Sequence, residues 1–173
     1  MTRGGHGPEV EQYVIERVSR LAGWSAMDAN ATRANHPGFD VLARHENGRE
    51  LRISVKSVST GGRCDFGIGR SFTRYPADVY AFVDLTVPEP WPVYLAGAKP
   101  VQALIMARHE KFQTDRGRRV GENKYRPKVS IRLLETIGAK ERWSLLDKPV
   151  PAEWPPLTDD LLDQARADAP RLS

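Results

Sequence analysis

A chain of 173 residues with 40% hydrophobic and 28% charged side chains is long enough to bury one substantial core, and its patterning suits a soluble globular domain. No apolar run approaches the roughly 18 residues of a membrane span and the N-terminus lacks a signal peptide's apolar stretch, so no membrane partner and a cytoplasmic location are expected. The net charge of +4 is uneven: Arg108 to Arg132 holds nine Lys/Arg against three Asp/Glu, which leaves the remainder at −2.

The first element is an amphipathic helix over Glu9 to Ala22, with Val10, Val14, Val18 and Leu21 at three- and four-residue spacings and a stop at Gly23. Trp24 to Asp28 fits a short strand and Asn30 to Pro37 a polar loop. Phe39 to His45 is the next strand, and Asn47-Gly48 is a hairpin signal that joins it antiparallel to Glu50–Ser57. In that strand Leu51, Ile53 and Val55 alternate with Glu50, Arg52, Ser54 and Lys56, which predicts one apolar and one polar face.

Asp78 to Leu85 is a nearly continuous apolar run, the pattern of a strand buried on both faces. Prolines 88, 90 and 92 bound a loop before a strand at Val93–Ala96, and Lys99 to Phe112 forms a helix covering one face of the sheet, with His109 expected to end it. Val129–Ile137 and Trp143–Leu146 are structured, but strand and helix cannot be separated there by period. Pro149, Pro151, Pro155 and Pro156 mark a rigid extended linker to an acidic helix at Thr158–Ala167. This divides the chain into a domain at 1–148 and a linker with helix at 149–173.

Between the second helix and Val129, the residues Arg116, Arg118, Arg119, Lys124, Arg126 and Lys128 alternate with Gly117, Gly121, Tyr125 and Pro127. Such a loop can neutralise phosphates without reading sequence, although it also suits a merely solvated surface. Arg63, Arg70 and Arg74 follow the Glu50–Ser57 strand and could approach the same backbone. The lone Cys64 excludes an internal disulfide or a cysteine zinc site, and the four histidines lack metal-ligand spacing. Trp91, Trp143 and Trp154 read as packing residues.

The sequence Gly7-Pro8-Glu9-Val10-Glu11, the Gly23-Trp24 helix end, Gly38-Phe39-Asp40, Ile53-Ser54-Val55-Lys56 and the buried Asp78-Val79-Tyr80-Ala81-Phe82-Val83 occur in an informative order. Together they resemble the PD-(D/E)XK, or restriction-endonuclease-like, nuclease superfamily, in a pattern similar to small bacterial members and archaeal-type Holliday junction resolvases. The resemblance implies an α/β fold with a central mixed β-sheet flanked by helices in αβββαβ order. It also implies magnesium- or manganese-dependent hydrolysis of DNA phosphodiesters.

Carried over residue by residue, Asp40 is the metal-bridging acid and the position of Ser54, with the Val55 carbonyl, supplies further metal ligands. Lys56 is the cation beside the attacking water or phosphate. The first-helix acid maps best to Glu11, with Glu9 second. Each residue also has a plain structural reading: Asp40 as a turn residue, Lys56 as a solvated strand lysine, Glu11 as an acid favoured by the helix dipole.

Ser54 departs from the family, which places an acid there, and a neutral hydroxyl is a poor magnesium ligand. Three outcomes stay open. The enzyme works with a weaker site, another acid such as Glu11 or Asp65 substitutes, or the domain has lost catalysis and binds nucleic acid or a protein partner. Glu50 is too far along the strand, roughly 13 Å away. A homodimer is expected only by analogy with related folds.

Overall fold

The structure, a computed structural model, describes residues 7–31, 38–58, 63–65, 77–115 and 128–168, except the side chains of 63–65, 113 and 115. Helix α1 (Gly7–Ser19) leads into β1 (Trp24–Asp28), and the hairpin of β2 (Val41–His45) and β3 (Glu50–Val58) follows. After β4 (Arg63–Asp65) come β5 (Val79–Asp84), β6 (Val93–Gly97) and helix α2 (Ala98–Asp115). Strand β7 (Lys128–Ser130), α3 (Ile131–Thr136), short 3-10 turns at Trp143–Leu145 and Pro151–Glu153, and α4 (Asp159–Ala167) complete the described chain.

Five strands form one mixed sheet in the order β1-β2-β3-β5-β6, in which only the β3–β5 pair is parallel. The chain is therefore α/β with a mixed sheet flanked by helices. Between the third strand and the parallel one, where an αβββαβ order puts a helix, the described residues are those of β4 and Ala77-Asp78. That strand pairs antiparallel with β7 in a separate two-stranded ribbon.

The period-2 alternation of the strands divides the core into two layers. Leu51, Ile53 and Val55 of β3, with Val79, Ala81 and Val83 of β5, pack against Val10, Val14 and Val18 of α1. Burying each of those valines contributes about 1.5–2 kcal/mol. On the opposite face Val58, Tyr80, Phe82, Tyr94 and Ala96 meet Val101, Leu104 and Ile105 of α2. All six residues of β5 are buried, as an apolar strand covered on both sides requires.

Three expectations need correction. Helix α1 stops at Ser19 rather than Ala22, because Gly23 at φ 74° turns the chain in the left-handed region before β1. His109 does not end α2; it lies six residues before the helix terminus and is 3% exposed, with burial pushing its imidazole pKa down. The second face of β3 carries Glu50, Arg52, Ser54 and Lys56 as expected but is solvated only at its start: Glu50 and Arg52 are exposed, Lys56 is half-buried, and Ser54 and Val58 are buried. Its later half lies beside the doubly covered β5.

The Pro-rich stretch lies against the sheet. Pro151 is buried, and the Gly97 amide donates to the Trp154 carbonyl at 2.7 Å. Trp91, Trp143 and Trp154 pack partly buried against the α1-side core. Helix α4, capped by Thr158, buries Ala165 in the core that α2 covers, while Asp159, Asp160 and Asp163 remain exposed. No helix among the described residues is long and apolar enough to cross a membrane.

Candidate active site

Strand β3 changes partner halfway along. Its first part pairs with β2 from Arg44↔Glu50 to Val41↔Ile53, and its second with β5 from Ile53↔Val79 to Val58↔Asp84. From Ser54 onward, among the described residues, the β2 side of β3 therefore has no strand paired against it. Asp40, the residue before β2, stands at this opening. Its backbone amide still donates to the Ile53 carbonyl at 2.9 Å. Its carboxylate Oδ2 then takes over where the strand stops, accepting the Val55 amide at 2.7 Å and the Ser54 hydroxyl at 3.2 Å.

Because the N–H and C=O of one strand residue point to the same side, the Val55 carbonyl also faces the opening beside Asp40. Asp78 plays a matching part on the other edge of β3, before β5 begins. It accepts the Arg52 amide at 2.8 Å and pairs with the Arg52 guanidinium at 3.0 Å. Each aspartate satisfies a strand amide that has lost its neighbour, so backbone satisfaction alone favours an acid at position 40.

The remaining predicted residues approach from two directions. Ser54 is 1% exposed and Lys56 is half-buried; both belong to the alternate set of β3 that includes Val58, on the α2 side. Glu11 comes from α1, which covers the other face, and is half-buried where Glu9 is exposed. Burial first, then the negative charges of Asp40 and Asp28, push the Glu11 carboxyl up from 4.5 to about 7, and Lys56 partly offsets them. Thus Glu11, Asp40 and Lys56 share one electrostatic neighbourhood at the opening.

Asp28 was not singled out from the sequence. It ends β1 opposite Val41, so it stands beside Asp40 at the same end of the sheet, and the Ala29 amide donates to the Asp40 carbonyl at 2.9 Å. The Asp28 carboxylate accepts the Asn30 amide at 2.7 Å, a local turn that explains an aspartate there without chemistry. Its closeness to Asp40 follows from the β1–β2 register, and Asp-Ala-Asn was the only signal of the turn.

Among the described residues no group of three or more His, Cys, Asp or Glu side chains is arranged to hold a metal. Magnesium does not require one, since it is commonly held by one or two carboxylates, keeping several waters and bridging to substrate phosphate. The oxygens of Asp40, Glu11 and the Val55 carbonyl fit that hard-donor chemistry, while the Ser54 hydroxyl is turned to Asp40.

Of the predicted nucleic-acid contacts, Arg70, Arg74, Arg116, Arg118, Arg119, Lys124 and Arg126 lie outside the described residues, as does the side chain of Asp65. Arg63 and Lys128 lie on the β4–β7 ribbon, in the register Arg63↔Ser130 and Asp65↔Lys128. The pairing brings together the described ends of the two basic segments, 65 residues apart in sequence. Comparison of the chain with protein-family models, with curated proteins and with solved structures found no match.

Proposed function

We propose that this chain is a metal-dependent DNA endonuclease of the restriction-endonuclease-like type, with an attenuated metal site. The observation that carries the reading is the opening at Ile53, where β3 parts from β2, Asp40 takes up the Val55 amide, and the charges of Asp40 and Lys56 both act on Glu11. A magnesium or manganese ion held by Asp40, Glu11 and the Val55 carbonyl would supply charge neutralisation at the scissile phosphate and a more acidic water. Asp40 is kept in place for that task by the Val55 amide and the Ser54 hydroxyl. Lys56 supplies a cation for the phosphate charge that grows during hydrolysis. The strand that carries it continues, after residues 59–62, into the ribbon bearing Arg63 and Lys128, which would hold the DNA backbone.

One observation favours a second reading, a binding module that has lost catalysis. The residue in the place of the second acid is buried and spends its hydroxyl on Asp40, an arrangement that is complete without a metal. Incubation of plasmid DNA with the purified chain across magnesium and manganese concentrations separates the two. Nicking or cutting that Lys56→Ala and Asp40→Asn both abolish is the expected result. Salt-dependent DNA binding with no cleavage at any metal concentration would favour the module, and cleavage untouched by both substitutions would remove the site.

A further inference from the structure

A second buried polar constellation lies away from the opening, where α2, α4 and β7 meet. Arg108 of α2 is 2% exposed. Its Nε lies 3.0 Å from both the carbonyl and Oδ2 of Asp168, just past the end of α4, and its Nη1 donates to the Lys128 carbonyl at the start of β7. Ser130, which ends β7, donates its hydroxyl to Asp168 Oδ2 at 2.9 Å and accepts the Leu133 amide at 3.1 Å as the N-cap of α3. Val129 between them is buried in the same core as Ala165 of α4 and Leu104 of α2.

One end of β7 is therefore held by Asp168 itself, at Ser130, and the other by its partner Arg108, at the Lys128 carbonyl, and β7 is the strand on which β4 is built. A buried guanidinium that loses its carboxylate is strongly destabilised unless the surrounding elements move to admit water. Because α2 is fastened over the central sheet, such a movement falls to α4 and the short ribbon on either side of Arg108.

We propose that α4 is a latch. Its docking through Asp168 sets the position of the β4–β7 ribbon, and its release loosens the ribbon and with it the grip of Arg63 and Lys128 on a polyanionic strand. The ribbon half of this proposal stands on the hydrogen bonds alone; the nucleic-acid half rests on the function proposed above.

Amide hydrogen exchange on the full chain, read together with binding to a short DNA duplex over a salt series, tests both halves. In Asp168→Asn the amides of 128–130 and 63–65 should exchange about tenfold faster along with those of α4, while those of β5 stay protected. DNA binding should weaken with a shallower salt dependence. Leu162→Ala, which loosens the packing of α4 without touching the polar groups, should reproduce the pattern more mildly and covers the case in which Asp168→Asn does not fold. Faster exchange confined to α4, with the ribbon as protected as in the parent, would overturn the latch. A loosened ribbon with unchanged DNA binding would keep the latch and overturn the assignment of Arg63 and Lys128 to nucleic acid.

Discussion

Replacing Glu11 with glutamine tests whether acids have been gathered at the opening. In the folded chain this carboxyl is pushed from 4.5 to about 7 by burial and by Asp40 and Asp28. The folded state therefore holds the proton more tightly than the unfolded state, and deprotonation opposes folding. The carboxyl leaves stability unaffected below about pH 4, and its cost grows as pH rises and levels off above about 7. Taken at face value the difference amounts to about 3 kcal/mol. Glu11 is only half-buried, and solvent screening reduces this to about 1 kcal/mol. Glutamine keeps the shape and cannot ionise. Urea unfolding of both proteins at pH 4, 6 and 8 should give nearly equal stabilities at pH 4 and a glutamine variant more stable by about 1 kcal/mol at pH 8. Magnesium at pH 8 should narrow the gap by stabilising the parent more. A gap of the same size at every pH, or none at pH 8, would refute the argument that burial and the neighbouring carboxylates hold the proton on Glu11.

Asp40→Asn retains an oxygen that can accept the Val55 amide, so thermal unfolding should show a loss of no more than about 1 kcal/mol while plasmid cleavage disappears. NMR titration of Glu11 in that variant should give a pKa below that of the parent, because one of the charges raising it is gone. Ser54→Glu, which puts an acid where the proposed nuclease site would carry one, forces a charge into a position 1% exposed and against the Asp40 carboxylate. It should cost about 3 kcal/mol in metal-free buffer, and added magnesium should raise its melting temperature more than that of the parent. Gly97→Ala would set a methyl group 2.3 Å from the Pro151 carbonyl oxygen and 2.6 Å from Ala152 backbone atoms. Differential scanning calorimetry should register a loss of about 2–3 kcal/mol if the segment 151–154 is held against β6 in solution.

Much of the architecture was legible because it rests on local periodicity. The spacing of Val10, Val14 and Val18 places α1, the Asn47-Gly48 turn joins β2 to β3, and the unbroken apolar run from Val79 marks the doubly covered strand. These signals arise between residues a few positions apart, where backbone geometry dictates which side chains share a face. What could not be read locally was which neighbour each half of β3 would have. Alternation alone put Ser54 on a polar face with Glu50 and Arg52; the parallel pairing with β5 buries it. His109 looked like a helix end by composition, yet it lies within α2 and is buried, because a polar side chain's burial depends on what packs above it.

By itself the sequence determined the helix, the hairpin and the central apolar strand, and it singled out Asp40, Ser54, Val55 and Lys56 as residues that share a stretch of chain chemistry. The tertiary structure decided that β3 leaves β2 at Ile53, that Asp40 then satisfies the stranded Val55 amide, and that Glu11 and Asp28 add their charge to the same place. It also decided that Arg108 and Asp168, sixty residues apart, close over β7. The physical reason is common to all of these. A buried amide, hydroxyl or charge must find a partner, and partners brought together by sheet register and helix packing leave no mark in the spacing of residues along the chain.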